Sequence, residues 1–392
     1  MTATKCQGVA LLSVMLLLVL FSVVAIYAAE DLDLSIARST HLRESEQAFQ
    51  IAMGGTQWAA KLLEKDVYTD SQPGSTDFDH TGEAWANLGP AVKVEGTESQ
   101  MRVEISDAQG RFNLNNLIQG RRVPQPESNS EGVSPPDANT DEDPDDLTAE
   151  SDNGENVQVE SEENLSSGEG EEEVTWYELY VGLLQVLGLD PQLADAVVDW
   201  VDENSEVTGV AGAEDLFYSS AEIPYLPANA PMAAPAELRY VRDYNFQAIS
   251  VLLPHVSALP VDDGELTRIN VNTASESLLA ALAEDPPSST EFLVPLIEQR
   301  LQQPFDSVEE FVASWESFSP YPLRPGIEPL LDVKSVYFLG ETCAVTGKIS
   351  LYQTVLLRKD RGSGRVSRVS RQRQPACPQQ ENPSNTTSNQ ET

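Results

Sequence analysis

Cations are scarce in this sequence. Of 392 residues, 24 are Lys or Arg and 63 are Asp or Glu, a formal net charge of -39. Nucleic acid is held through clustered Lys and Arg on phosphate, so this balance argues against a nucleic-acid partner. Histidine is scarcer still: His41, His80 and His255 lie far apart, which argues against a His-rich metal site or a Ser/His/Asp triad. No nucleophile motif stands out either, and the sequence reads as a non-enzymatic protein. Of three cysteines, Cys6 lies close to the amino end, leaving Cys343 and Cys377 as one optional pair. Such a pair is compatible with an oxidising compartment, and the sequence leaves open whether it forms.

What the chain does have is an apolar run near its start, "KCQGVALLSVMLLLVLFSVVAIYAAED" from Lys5. Between Gly8 and Glu30 there is no charged side chain, about twenty residues, enough to cross a hydrocarbon core as a helix. Lys5 on the near side predicts a cytoplasmic amino end and an exported bulk. "AIYAAED" could serve as the cleavage site of a conventional signal peptide. The alternative is a cut between Gly8 and Val9, because the segment resembles the type IV prepilin class. In that class a prepilin peptidase cuts after Gly and methylates the new amino end, here Val9. The helical pattern then continues through "LDLSIARSTHLRESEQAFQIAMGGTQWAAKLLEKD", with Leu42, Phe49, Ala52, Ala59 and Leu63 as an apolar stripe. The adjacent Gly54 and Gly55 predict a bend.

Beyond Asp66, "AVKVEGTESQMRVEISDAQGRFNLNNL" alternates with period two at Val92 and Val94, at Met101, Val103 and Ile105, then at Phe112 and Leu114. Alternation returns in "KSVYFLGETCAVTGKISLYQTVLLRKD". A sheet assembled from both regions and packed on the amino-terminal helix would bury both amphipathic faces. What lies between is an insertion. It opens with residues 124–174, which hold about eighteen carboxylates and no Lys or Arg, the composition of a solvated, self-repelling spacer. From 175 to 326 the pattern is helical. Asp190 is placed to cap a helix with Pro191 at its first position and Leu193, Val197, Trp200 and Val201 as its buried stripe. In "INVNTASESLLAAL", Thr273 and Glu276 form an expected capping box. Two further helices are interrupted at Pro304. The Arg-, Ser- and Gln-rich residues 359–392 read as a disordered tail.

Together, "QGVALLSVMLLLVL", "DAQGRFNLNNL", "VVDWVDE" followed by "GAEDLFY" and "PYLPANAPM", and "INVNTASESLLAAL" resemble the general secretion pathway protein K family, minor pseudopilins of type II secretion. The resemblance implies an α+β fold: a pilin-like long helix on an antiparallel sheet with a large inserted α-helical, SAM-like domain. Its expected divisions are a leader (1–8), a membrane segment (9–29), the exported part of the helix (30–66), strands (67–123), the spacer (124–174), the insert (175–326) and closing strands (327–358). It implies a single-pass protein of the bacterial inner membrane, with the bulk in the periplasm. Its place would be the tip of the pseudopilus, nucleating or capping it and supporting export of folded proteins. The implied partners are two other minor pseudopilins, the major pseudopilin, the inner-membrane secretion platform and the prepilin peptidase. Ser13 would be the fifth mature residue, where most pilins and pseudopilins carry Glu.

A calcium site is expected in the insert. "DWVDENSEVTGVAGAEDLFY" concentrates Asp199, Asp202, Glu203, Glu214 and Asp215 about a Gly-bearing loop, and Ca²⁺ takes six to eight oxygens. The spacing is not that of an EF-hand. On a helical wheel, Asp195, Asp199 and Asp202 lie opposite the apolar stripe, which alone would describe a solvated face. The same family resemblance implies calcium in the helical domain. Rival functions are a minor pilin of a type IV pilus and a membrane-tethered DNA-binding protein. "INVNTA" resembles helix-hairpin-helix units, but its turn "LAEDPPSST" is acidic and ill suited to phosphate.

Overall fold

The computed structural model describes residues 7–70, 77–119, 174–261 and 265–378. Residues 1–6 of the leader, 71–76, 120–173, which hold nearly all of the acidic spacer, 262–264 and those from 379 lie outside them.

Helix α1 (Gln7–Asp70) runs unbroken for 64 residues, about 95 Å at the usual rise. No proline interrupts it. Residues 11–38 are exposed along its first half, apolar as far as Ala29, a stretch long and apolar enough to cross a membrane. Its second half buries Ala48, Ala52, Thr56, Ala59, Leu63 and Val67, the three- and four-residue steps of one helical face. Leu42 departs from the expected stripe: it is 70% exposed and lies outside the buried row. The helix runs on without interruption through the glycine pair. A Cβ on Gly55 would come within 2.5 Å of the Thr342 side chain, so glycine there serves close approach of helix to sheet.

The chain then supplies β1 (Val92–Lys93), β2 (Gln100–Asp107) and β3 (Phe112–Asn113), and next the helices α2 (Trp176–Val186), α3 (Leu193–Val201), α4 (Asp215–Ser219) and α5 (Phe246–Leu252). β4 (Val256–Ser257), β5 (Ile269–Asn270), α6 (Glu276–Ala280), α7 (Val294–Gln302), α8 (Val308–Phe318) and β6 (Leu331–Asp332) follow. β7 (Tyr337–Thr346), β8 (Ile349–Asp360) and β9 (Arg365–Gln374) close the fold. The main sheet is antiparallel throughout, in the order β1-β2-β7-β8-β9. Its α1-facing side chains Val103, Ile105, Phe338, Val355 and Leu357 pack on Ala59 and Leu63, with Trp85 edge-on to Phe338. At the inner end of the β2–β7 pair, the Ala108 N–H donates to the Tyr337 carbonyl at 3.0 Å. The two ends of the insert therefore leave the sheet side by side.

The insert is wider than its sequence bounds. Only Phe112–Asn113 of "RFNLNNL" is strand. It pairs in parallel with β4, and residues 114–119 are 3₁₀ helix. Phe112, Leu114 and Leu117 sit in the insert's core, as do Ile327, Leu331 and Val333 at the other end. The period-two pattern was real in polarity but short of hydrogen-bonding partners in the main sheet. Thr273 is not the cap of α6. Ser275 is, accepting from the Leu278 N–H at 3.3 Å, while the Thr273 hydroxyl donates to Asp107. Asp190 accepts from the Gln192 N–H at 3.0 Å, and α3 begins two residues later than its proline suggests.

The tail reading fails as far as Gln374, because Arg365–Gln374 is the edge strand β9. An edge strand keeps one side and much of both faces in water, so it tolerates charge that a central strand would not. Cys343 on β7 and Cys377 just past β9 are disulfide-bonded, with Cα atoms 5.6 Å apart, settling a pairing the sequence left open. A buried polar joint ties insert to sheet: Asp107 accepts from Gln109 N–H, Asn270, Thr273 and Ser335, and Asn270 also bonds the Asp79 carbonyl.

Candidate functional site

The carboxylates expected around α3 and α4 divide into two groups. Asp199 is 0% exposed, and Asp202 and Glu214 are 5% exposed each. Glu203 and Asp215 remain at the surface. The wheel that placed Asp195, Asp199 and Asp202 toward solvent is overturned, since the loop from 203 to 214 folds over that side of α3 and buries all three.

The residue that motif reading did not include is Asp195, and it builds the loop. Its Oδ1 accepts from the Tyr177 hydroxyl at 2.6 Å, and its Oδ2 accepts from the N–H groups of Val210 and Ala211 at 3.1 and 3.2 Å. Asp199 Oδ1 accepts from the Thr208 N–H at 2.9 Å. These bonds bring backbone against carboxylate so closely that glycine is needed: Gly209 has φ of +57° with Asp195 where a Cβ would stand, and a Cβ on Gly212 would strike Asp199 and the Thr208 backbone.

The remaining oxygens have no such partners. Asp199 Oδ2, Asp202 Oδ1 and both carboxylate oxygens of Glu214 are buried with no hydrogen-bond donor. Among the described residues, no Lys or Arg pairs with them. Arg242, the nearby cation, donates to the Gly212 carbonyl and pairs with Asp243. Burial pushes the Asp199 pKa up; burial and then the Asp199 charge push Asp202 up to about 6. Burial followed by the Asp199, Asp202 and Asp215 charges pushes Glu214 up to about 7. Buried carboxylates left unpaired cost on the order of several kcal/mol each unless a proton or a cation joins them. An all-oxygen donor set suits a hard divalent ion such as Ca²⁺ rather than zinc or copper. The residues present fit the ion.

A second carboxylate group, Asp66, Asp79 and Glu83, has oxygens within 4.8 Å of one another. There the counter-charge is already supplied by protein. The buried Lys359 ammonium bonds Asp66 at 2.7 Å and also Asp79, and Arg361 bonds Asp79 and Asp77. Burial alone would lower the Lys359 pKa, but the Asp79 and Asp66 charges outweigh it and hold it above the usual lysine value. Glu83 is pushed up to about 8, by burial first and then by the Asp66 charge.

At the other end of the molecule, Gly8 and Val9 lie in the first turns of α1 and Ser13 on the same continuous helix. From residue 11 to residue 29 its side chains are exposed and uncharged, and the segment fits a single-pass inner-membrane anchor.

The family description "Type II secretion system (T2SS), protein K" matches residues 110–261 and again 269–322. Type II secretion system protein K of Pseudomonas aeruginosa is 30% identical over 313 residues, 78% of this chain and 75% of the relative. The protein of the same name from Dickeya chrysanthemi is 30% identical over 360 residues, 90% of this chain and 93% of the relative. That from Aeromonas hydrophila is 27% identical over 347 residues, 87% and 89%. Among solved structures, a chain of the GspK-GspI-GspJ complex from the enterotoxigenic Escherichia coli type 2 secretion system superposes with a TM-score of 0.60. It is 21% identical, and the match covers 86% of this chain and 99% of that one. With a membrane-length helix, an antiparallel sheet and a helical insert each accounted for, the chain belongs to the type II secretion system protein K family.

Proposed function

We propose that this chain is the minor pseudopilin standing first in the type II secretion pseudopilus, where it nucleates or caps the fibre and supports export of folded proteins. The observation carrying this reading is the continuity of α1: one helix joins an uncharged membrane segment with Ser at position 13 to a sheet bearing a bulky helical insert. In a growing fibre, a buried carboxylate near the mature start can neutralise the amino end of the subunit ahead. A subunit with none ahead would carry that carboxylate unpaired in lipid, at a cost on the order of 3 kcal/mol. Serine avoids the cost. The insert also fits a position with open space above it and suits a stacked shaft poorly.

On this reading, prepilin peptidase cuts between Gly8 and Val9, and Val9 is methylated. The bulk of the chain lies in the periplasm. The partners are two other minor pseudopilins, by analogy with the similar chain that assembles in the GspK-GspI-GspJ complex. The role is structural and non-enzymatic. Asp199, Asp202 and Glu214 would hold Ca²⁺, with Glu203 and Asp215 adding outer negative charge. The ion supplies the positive charge these buried oxygens lack. The chain's own part is to hold the loop in place through Asp195 and the two glycines.

Gold-labelled chain on isolated pseudopili tests the placement. Label at one end only is expected, with Ser13→Glu redistributing it along the shaft. Label spread along the shaft of the unaltered protein would overturn tip placement.

A further inference from the structure

We infer that the free edge of β9 is a docking site for the chain's own acidic stretch, residues 124–173. The inference goes beyond the tip assignment and does not depend on it.

Among the described residues, β9 ends the sheet order and pairs on one side only, with β8. Ten residues of edge backbone are thus presented to solvent by a strand with four arginines and no acid: Arg365, Arg368, Arg371 and Arg373. In a chain of net charge -39 this is an island of opposite sign. It is also held in place. The guanidinium groups of Arg371 and Arg373 sit over the Phe49 ring at 5.9 and 4.7 Å, fixing their charge on the α1 side of the edge. Among the described residues, Arg368, Arg371 and Arg373 have no carboxylate partner. One acid already lies near this edge: Glu64, paired with Lys61, has its carboxyl pKa lowered first by Lys61 and then also by Val366 and Arg365. The site therefore offers what an acidic strand requires, backbone donors flanked by arginine.

Charge and reach select the occupant. A membrane surface is remote, since Phe49 lies twenty residues past Ala29 on α1, about 30 Å along the axis. Nucleic acid would meet the strongly negative remainder of the molecule. Residues 124–174 carry about eighteen carboxylates and no cation, and within them "ENVQVESEE" sets Val157 and Val159 at alternate positions. The stretch leaves the described structure at Gln119 and returns at Val174, both on the insert. β9 borders that same insert: its Ser370, Gln372 and Gln374 face Ala234 and Ser257 across a cleft of ≈ 340 Å³. Half of the residues from 120 to 173 spans about 90 Å when extended, more than a domain's width. Tethering holds the segment at an effective concentration near millimolar, so even weak pairing is populated. The arginines would repel basic foreign strands while admitting an acidic one.

Hydrogen exchange on the full-length protein in detergent, read at residues 365–374, tests this. At low salt, β9 amides should exchange about tenfold more slowly than in a variant with every Asp and Glu from Glu127 to Glu173 amidated, and 0.5 M salt should abolish the difference. Amides of β2 and β7, unchanged between the two proteins, report that the sheet is intact. Arg368→Gln with Arg373→Gln should reproduce the loss with the acidic stretch unaltered. Equal β9 exchange in wild type and the amidated variant would overturn the inference. So would protection that disappears on diluting the protein, which would make the occupant a second copy.

Discussion

Glu214 is buried with two carboxylate oxygens that no donor reaches, and its proton affinity follows from that. Its pKa in the folded state, about 7, lies above the ordinary carboxylate value, so the folded form binds the proton more tightly than the unfolded form. Without a cation, this group makes the protein gain stability as pH falls from about 8, with the gain complete near its unfolded value of about 4.3. Glu214→Gln should remove that part of the slope and raise the metal-free melting temperature at pH 8, measured calorimetrically against wild type. Added Ca²⁺ should stabilise wild type more at pH 8 than at pH 5, because ligands must be ionised. By titration calorimetry, Asp202→Ala should weaken Ca²⁺ uptake tenfold or more (about 1.4 kcal/mol) and Asp215→Ala should weaken it less. Unchanged uptake in both would remove these residues from the site. On the helical wheel Asp195, Asp199 and Asp202 fall on a solvated face, whereas the structure buries all three. A wheel knows only its own helix. What covers Asp199 and Asp202 is a loop whose course depends on Asp195 bonding the Val210 and Ala211 amides.

At the scale of single elements, α1 and β9 show opposite limits of pattern reading. The helix was legible over its whole length because its periodicity is sustained, but glycine carries no sign of whether it bends a helix or admits a neighbour. The two glycines of α1 separate experimentally. Gly54 has open space, so Gly54→Ala should stabilise by up to about 1 kcal/mol through helix propensity. Gly55→Ala meets Thr342 and should destabilise by about 1–3 kcal/mol, both by thermal melting of the soluble region. β9 was illegible because four arginines imitate the composition of a tail. Its order depends on pairing with β8 and on the bond between Cys343 and Cys377, 34 residues apart. Replacing both cysteines by serine should cost roughly 4 kcal/mol on the loop-entropy account and raise hydrogen exchange in β9 before β7.

Across the whole molecule, sheet and insert meet at Asp107, buried and bonded to Asn270, Thr273 and Ser335. Burial is the main cause lifting its pKa to about 6, and the bonds from Ser335 and Thr273 oppose it. Asn270→Ala removes the one side chain touching Asp79, Asp107 and Ser335 together, and should cost about 1–3 kcal/mol. It should also split a single melting transition into two if this joint couples the units. No local motif announces such a joint, since Asp107 lies 163, 166 and 228 residues along the chain from Asn270, Thr273 and Ser335. The bond between Ala108 and Tyr337 has a further consequence: the hairpin they close is geometrically complete without whatever hangs from it. A miniature in which a four-residue turn replaces residues 110–335 should still bury Trp85 against Phe338 and show near-ultraviolet dichroism from that pair. The large domain would then be a detachable graft, exchangeable for another cargo of similar footing.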